Sequence, residues 1–458
     1  MSVDAGGDGG LARAAARAVE GALAAGAADA EAYAISESGR EVRVHAREVE
    51  SLTVAGERGV GVRAWLGGQV GYAYGTDLSA AGLDALSARA AEGARAADPD
   101  EFAGPPSSSG PPAAVEGLTD ASVAAWPTAD VVALALEVER VALDADRRIA
   151  GVEQAVYADS ASRVAIRSST GVEGEFEASS CFAYLQALAE GPGGRETGLG
   201  FGLARGPAGL DAAAIGAEAA TRALSMIGAG KPRSRSCPVV LDPPVAASFA
   251  AAIGSALGAD SVQRGRSPFA ERLGEQVAGE AFALADDGLD PEGLASSPFD
   301  GEGTPRRRTA LIEGRRLRSY LHDTYTARRG GAETTASAGR SGYRSQPSVS
   351  ASNLIVGDGP HSLEGLFAEA GEGVYVTDVA GLHSGVNPVS GVFSVGASGR
   401  AISGGELAEP LREFTIASDL VTMLGSVGAA GAESRWVPFG GSVRTPALLV
   451  GEMTVSGA

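Results

Sequence analysis

Residues 373–399 read GVYVTDVAGLHSGVNPVSGVFSVGASG, an apolar run followed by a segment rich in glycine. Because glycine lets a strand or loop lie close to another backbone, this stretch predicts glycine-rich strands that continue towards the end of the chain. His383, Asn387 and Ser394 are polar residues within it. Asn-Pro and glycine are common turn residues, so one interpretation is that Asn387 begins a turn and His383 satisfies a backbone carbonyl.

Helical and strand-like patterns on either side of this stretch predict an α+β fold. The glycine pair Gly67-Gly68 suits a tight hairpin turn, and a second hairpin is expected to turn at Glu313-Gly314. Strand-like runs occupy residues 30–74, 152–203, 239–241, 277–286 and 309–322. Apolar residues at three- and four-residue spacing predict helices at residues 11–25, 78–97, 128–148, 210–227, 245–259 and 363–370.

The length of 458 residues predicts two or three domains. Residues 98–116 are rich in proline, serine and glycine, which indicates an exposed connector within the first half. Periodicity breaks again near residue 230, so we predict an N-terminal α+β domain at 1–230 and a mainly antiparallel-β domain at 231–458. Helix 245–259 is apolar nearly all round, as expected of a helix buried in the core of the second domain.

Composition excludes several classes of protein. The formal charge of −20 would repel nucleic acid. The one basic run, Arg306–Arg308, is interpreted as a solvated hairpin face, with a docking patch for an acidic partner as the alternative. The first residues do not resemble a secretory signal, and 245–259 is shorter than the roughly 18 apolar residues of a membrane span. The two cysteines are too few for a disulfide scaffold, which favours a reducing cytoplasm. Together these features predict a soluble cytoplasmic protein with no membrane or nucleic-acid partner.

Familiar catalytic motifs are missing from the sequence. The four histidines, His45, His322, His361 and His383, are far apart, and no HExxH motif occurs. Residues 391–396 (GVFSVG) depart from GxSxG by one residue before the serine. The only lysine precedes a proline, which excludes a Walker A loop and an SxxK site. An acidic cluster at 286–292 misses the EF-hand spacing and is interpreted as a solvated turn.

Several stretches together resemble the TldD/PmbA metallopeptidase family, on its PmbA (TldE) branch. They occur in the family's order and spacing in the C-terminal half, and the N-terminal half agrees more weakly through its helix, its hairpins and RGVGVRAWLGG. The C-terminal stretches are RGRSPFAERLGE at 264–275, SPFDGEG at 297–303, LIE at 311–313, the segment at 373–399, EFTIASDL at 413–420 and TPALLVGEMTVSG at 445–457.

The resemblance implies a metal site that this chain has lost. In the TldD branch, a helix bearing HExxxH and a later cysteine hold zinc, and the glutamate is the general base. The matching positions here are Ala250, Ala251, Ser255 and Ala430. Alanine has no lone pair and a serine hydroxyl is a poor zinc ligand, so we predict neither a metal site nor catalytic residues. His383, Asn387 and Ser394 become candidates for lining a peptide groove.

The function implied by the resemblance is that of a non-catalytic subunit, inactive on its own. A TldD-like partner would supply zinc and cleave unfolded or small peptides, while this chain forms part of the chamber that holds the peptide. The alternative is a stand-alone homodimeric module that binds peptides or a carrier protein without catalysis. A third interpretation is an autonomous enzyme whose metal ligands have moved elsewhere in the chain.

Overall fold

The computed structural model describes residues 10–107 and 110–457, with the side chains of His383 and Ser384 left out of the description. Its helices are α1 Gly10–Ala24, α2 Ala80–Ala96, α3 Ser122–Ala125, α4 Thr128–Ala145, α5 Ala212–Ser225, α6 Pro243–Ala256, α7 Ala259–Gln263, α8 Thr324–Gly330, α9 Leu363–Ala370, α10 Leu382–Gly385 and α11 Leu420–Gly425. Among the described residues, no helix is long and apolar enough to cross a membrane.

Strands outnumber helices. They are β1 Asp29–His45, β2 Glu48–Leu66, β3 Gln69–Gly75, β4 Ile149–Ser168, β5 Glu173–Gly191, β6 Gly194–Ala204, β7 Arg235–Leu241, β8 Leu284–Asp287, β9 Arg308–Glu313, β10 Arg316–Leu317, β11 Ala338–Gly339, β12 Ser348–Val349, β13 Asn353–Val356, β14 Gly373–Ala380, β15 Val392–Ser403, β16 Glu406–Asp419, β17 Val427–Ala430, β18 Arg435–Val437, β19 Ser442–Thr445 and β20 Leu448–Ser456. The α+β class predicted from the sequence is confirmed.

One antiparallel sheet organises the N-terminal half, with strand order β3-β2-β1-β4-β5-β6. Four helices pack on the same face of this sheet. Helices α1 and α2 lie at one end of that face, and α4 and α5 lie at the other end. Glycine permits this close packing, because a Cβ on Gly71 would lie 2.0 Å from the carbonyl oxygen of Ala90 in α2. Likewise, a Cβ on Gly198 would lie 2.1 Å from the amide nitrogen of Ala223 in α5.

The opposite face of this sheet packs on the C-terminal half. Tyr33 and Ile166 of β1 and β4 form a buried cluster with Phe299, which lies in a loop of the second half. Phe176 of β5 joins them, with its ring centroid 5.2 Å from that of Phe299. The two halves are therefore held by a shared apolar layer in addition to the chain connection.

The C-terminal half contains two six-stranded sheets, ordered β10-β9-β8-β13-β19-β18 and β16-β15-β14-β7-β20-β17. An additional pairing of β16 with β20 curls the second sheet back on itself. The pairs β13–β19 and β7–β14 are parallel and the other ladders are antiparallel, which confirms the prediction of a mainly antiparallel half. Helix α6 lies in the core shared by these sheets, and α9 covers the outer face of the second.

Two local expectations need correction. The strand expected at 277–286 is present only as the short β8, Leu284–Asp287. The residues before β8 hydrogen-bond to other segments instead. The amide of Val277 donates to the carbonyl oxygen of Arg315, and the amide of Gly279 donates to that of Leu424. The second hairpin turns one residue later than predicted, at Gly314 and Arg315, which both have positive φ values of 54° and 69°.

Candidate functional site

Helix α6 lies where the resemblance places the metal-binding helix. It begins with Pro243 in its first turn, where a missing backbone N–H costs nothing. Its buried side carries Val245, Phe249 and Ile253, and the ring of Phe249 lies 5.0 Å from that of Phe393 on β15. The helix is thereby fixed against the second C-terminal sheet.

Helix α6 lies in the core, as predicted, but one side of it is partly open to solvent. Ser255 is exposed, and Ser248, Ala251 and Ala252 are half-buried. These positions follow the spacing of three and four residues that places side chains on one helical face. A sequence of small and apolar residues did not distinguish this face from the buried one, because alanine is common in both settings.

The aligned metal positions do not form a zinc site. Ala250 and Ala430 are buried at 2% and 1% exposure, so they face the core, while Ser255 faces solvent. Three methyl groups and one hydroxyl do not fit a zinc ion, which requires nitrogen, thiolate or carboxylate donors. Elsewhere in the described part of the chain, no three His, Cys, Asp or Glu side chains group together in a way that could hold a metal.

The four histidines have different surroundings. His45 is exposed at the end of β1. The Nε2 atom of His361 lies 3.7 Å from a carboxylate oxygen of Glu369. His322 is buried, and desolvation lowers its pKa. It lines a cavity of about 400 Å³ together with Arg307, Arg308 and Arg318 of the basic hairpin. The backbone of His383 lies in α10, and its side chain is outside the described residues.

The other two groove candidates have separate positions. The Asn387 side chain accepts hydrogen bonds from the amides of Val389 at 2.9 Å and Ser390 at 3.1 Å, which is the geometry of a turn. Ser394 is exposed on β15, directly after Phe393, which faces α6. Because alternate side chains of a strand point to opposite faces, Ser394 points away from α6.

Three family models match nearly the whole of this chain. They describe PmbA/TldA metallopeptidase domain 1 at residues 30–96, the central domain at 122–227 and the C-terminal domain at 234–457. The chain belongs to the PmbA/TldD metallopeptidase family. The boundary between the last two models falls between α5 and β7, whereas the first two models divide a single continuous sheet.

Similar proteins of the PmbA/TldD family come from bacteria and archaea. A metalloprotease PmbA homolog of Haemophilus influenzae is 26% identical over 456 residues, covering 96% of this chain and 94% of that protein. A metalloprotease of Methanocaldococcus jannaschii is 30% identical over 318 residues, covering 64% of this chain and 68% of that protein. The crystal structure of TldE from Thermococcus kodakarensis has the same fold, with a TM-score of 0.87 and 21% identity, covering 97% and 100%.

The start of α6 in this PmbA/TldD chain is anchored by a polar network around the buried Asp242. Asp242 accepts hydrogen bonds from the hydroxyl of Tyr375 at 2.5 Å and from Arg222 of α5 at 2.7 Å. Arg222 also pairs with Glu218, which pairs with Arg435 at 2.6 Å. Burial, reinforced by the charge of Asp242, raises the pKa of Tyr375, so the phenol remains a donor.

The PmbA/TldD stretch SPFDGEG has a structural role that its sequence did not reveal. Its Glu302 lies 3.0 Å from Arg63 of β2, and Arg63 lies 2.5 Å from Glu31 of β1, which also pairs with Arg340. These four side chains, Arg340, Glu31, Arg63 and Glu302, form what we call the clasp. It joins the N-terminal sheet to two loops of the C-terminal half, which places family residues at the junction of the halves.

The carboxylates of SPFDGEG differ in their electrostatics. Burial raises the pKa of Asp300 to about 6, although its oxygens accept hydrogen bonds from the amides of Glu302, Thr304 and Ala338. Burial is the largest single influence on Glu302 and opposes its ionisation, but the charge of Arg63 and the hydrogen bonds from Thr324 and Arg63 together outweigh it and lower the pKa of Glu302. Glu302 therefore stays charged in the clasp.

Proposed function

We propose that this chain is a PmbA/TldE-like subunit, non-catalytic on its own, of a two-component zinc metallopeptidase that acts on unfolded or small peptides. A TldD-like subunit supplies the zinc and the general base. This chain contributes part of the wall of the chamber in which the peptide is held. The two subunits belong to one family. The catalytic groups lie in the TldD-like subunit, and both subunits form the chamber.

The observation that carries the proposal is the open face of α6. The family resemblance aligns this helix with the metal-binding helix of the TldD branch, yet Ala250, Ala251 and Ser255 offer no imidazole or carboxylate. No residue at these positions can hold zinc or take a proton from a zinc-bound water. The accessible side of the helix carries only small side chains, Ser248, Ala251, Ala252 and Ser255.

The position of α6 supports a role in shaping a chamber. Its start is held by Asp242, Arg222 and Tyr375, and its buried side is packed against β15. A surface held by buried hydrogen bonds and ring packing keeps its shape when a peptide or a second subunit docks on it. A rigid wall of this kind suits a protein that positions a substrate for another subunit.

Co-expression tests the proposal directly. This chain and a TldD-like protein from the same genome are purified together through a tag on only one of them, with zinc and peptide hydrolysis measured for each preparation. We expect a stable heteromer that cleaves peptides, with near-zero zinc per chain in this protein alone. One tightly held zinc per chain in the protein purified alone, without chelators or a metal-binding tag, would contradict the loss of the site.

A second candidate is the stand-alone homodimeric module that binds peptides or a carrier protein. The observation in its favour is an exposed edge of β2 at residues 48–58, because a sheet edge can take up an extended peptide as a further strand. Titration of the isolated chain with short peptides separates the two. Tight binding without a TldD-like partner favours the module, whereas binding only by the heteromer favours the subunit.

A further inference from the structure

The cavity of about 400 Å³ beside the β9–β10 hairpin has a strongly basic lining, and we call it the basic cavity. Three arginines line it, Arg307, Arg308 and Arg318, whereas Glu333 is the only carboxylate among the described residues of its wall. Arg308 is partly neutralised, since a carboxylate oxygen of Asp287 lies 3.5 Å from its Nε atom. In a chain with a formal charge of −20, this local excess of positive charge favours the binding of an anion.

The other two arginines keep most of their hydrogen-bonding capacity. Within the described part of the chain, neither Arg307 nor Arg318 forms an ion pair. Each donates instead to one backbone carbonyl oxygen, Arg307 to that of Thr334 and Arg318 to that of Glu313 at 3.2 Å. Because a guanidinium carries a planar fork of N–H donors, both side chains can still bind an oxyanion.

His322 contributes a buried polar group to the same wall. The residue is only 9% exposed, and its Nδ1 atom has no hydrogen-bond partner among the described residues. Buried polar atoms in folded proteins are nearly always hydrogen-bonded, so an unpaired one calls for a physical explanation. A ligand in the basic cavity provides one, because it would bring hydrogen-bonding groups to this wall.

Hydrogen bonds fix the two main walls of the basic cavity. The amide of His322 donates to the hydroxyl of Thr335 at 2.7 Å, and the amide of Thr335 donates to the carbonyl oxygen of His322 at 3.1 Å. On the other wall, the amide of Arg318 donates to the carbonyl oxygen of Leu311 at 2.7 Å and extends the β9–β10 pairing. The cavity is therefore formed before any ligand binds, as is usual for small-molecule sites.

The rest of the lining indicates the kind of ligand. Leu273 is 56% exposed, and Tyr320 is half-buried with its hydroxyl donating to the carbonyl oxygen of Phe269 at 2.7 Å. These two side chains offer apolar surface beside the arginines. The volume also falls within the roughly 300–1,000 Å³ of small-molecule sites and exceeds what a single phosphate or carboxylate fills.

We infer that the basic cavity binds a small organic anion. Its phosphate or carboxylate groups are held by Arg307 and Arg318, and its apolar part packs against Leu273 and Tyr320. Arginine suits both kinds of oxyanion, because two parallel N–H donors match the spacing of their oxygens. The inference goes beyond the proposed function and does not rest on it, since binding is measured on the chain alone.

Calorimetric titration of the purified chain with phenyl phosphate and with phthalate provides the first test. We expect one saturable site per chain, with a dissociation constant below about 1 mM for at least one of the two probes. Tighter binding of phenyl phosphate indicates a phosphate ligand, and tighter binding of phthalate indicates a carboxylate ligand. Absence of saturable binding by both probes overturns the inference.

Inorganic phosphate tests the role of the apolar lining. If the phenyl ring packs against Leu273 and Tyr320, phenyl phosphate should bind about tenfold more tightly than inorganic phosphate, since burial of apolar surface adds to the affinity. Equal affinities would contradict the assignment of an organic ligand.

Arginine variants locate the site. Arg318→Gln should weaken binding of the tighter probe by about tenfold or more, because it removes charge-assisted hydrogen bonds. Arg316→Gln is the matched control, since Arg316 is exposed on the same hairpin and loses the same charge but does not line the cavity. Its effect should stay below about twofold in salt that screens distant charges. Equal losses in both variants would show diffuse attraction and overturn the inference.

Arg307→Gln provides a second variant on the other guanidinium. Its probe binding should weaken to a similar degree, and the urea midpoint of each variant establishes that it is folded. If Arg318→Gln fails to fold, the comparison of Arg307→Gln with Arg316→Gln decides the outcome. Unchanged binding in folded Arg307→Gln and Arg318→Gln would exclude the basic cavity as the site.

Discussion

The guanidinium of Arg63 lies 3.0 Å from the carboxylate of Glu302, with side chains 8% and 3% exposed, and this pair joins β2 to a loop of the other half. Removing one member of a buried pair leaves the other charge without compensation. Arg63→Met should therefore lower the free energy of unfolding by about 3–5 kcal/mol, measured by urea denaturation. Arg315→Met is the control, since its pair with Glu280 is largely exposed and should contribute less than about 1 kcal/mol.

A pH dependence follows from Asp300, whose pKa burial raises to about 6 in the folded chain. An acid with a raised pKa binds its proton more tightly when folded than when unfolded. Its contribution to stability is complete below the unfolded pKa of about 3.9 and is lost as the pH rises through about 6. The lowered pKa of Glu302 acts in the opposite direction, and at lower pH.

Asp300→Asn removes this titration and serves to measure it. We expect the difference in unfolding free energy between wild type and Asp300→Asn to change between about pH 4 and pH 6.5, with the wild type losing stability relative to the variant as the pH rises. A constant difference over that range would mean that the carboxyl of Asp300 titrates normally. The comparison cancels the titration of other groups that the two proteins share.

Helix docking on the N-terminal sheet should not tolerate a side chain at Gly71. A Cβ there would lie 2.0 Å from a backbone oxygen of α2, which neither segment can relieve without moving. Gly71→Ala should cost about 1–3 kcal/mol of stability, visible as a lower midpoint of urea unfolding. Gly230→Ala is the control, because nothing lies within 4 Å of its added methyl group.

The anchor of α6 depends on the hydroxyl of Tyr375. Tyr375→Phe removes its 2.5 Å hydrogen bond and leaves one oxygen of buried Asp242 without that donor, which should cost about 1–3 kcal/mol. In the heteromer we expect a raised KM for peptides, because the wall carried by α6 loses a support. Tyr74→Phe, at a residue 46% exposed, should change neither quantity.

Local patterns were sufficient to predict much of the fold. Helix α9 has the predicted bounds of 363–370, and the hairpin turn at Gly67-Gly68 was placed correctly, because both depend on neighbours in sequence. The failed strand at 277–283 depends on contacts with residues near 315 and 424, which no local pattern contains. The clasp has the same origin, since Glu31 and Arg340 are 309 residues apart.

The candidate site was predictable in part. The absence of donors at Ala250, Ala251, Ser255 and Ala430 follows from residue identities alone. The open face of α6 does not, because exposure of an alanine depends on which neighbouring segments cover it. The orientation of Ser394 could not be predicted for the same reason. The pairing register of β15 with its neighbours decides which of its side chains face α6.

The strand order of the N-terminal sheet has a consequence for how the chain can be cut. Residues Glu31–Val44 of β1 pair with residues Ala155–Ser168 of β4, so the first and central family domains share a ladder. A truncation after residue 121 would strip β1 of that neighbour and uncover Tyr33. Such a fragment should be insoluble, whereas a cut at about residue 230 separates no strands of this sheet. The first and central sequence domains of this chain are therefore one folding unit and should not be produced separately.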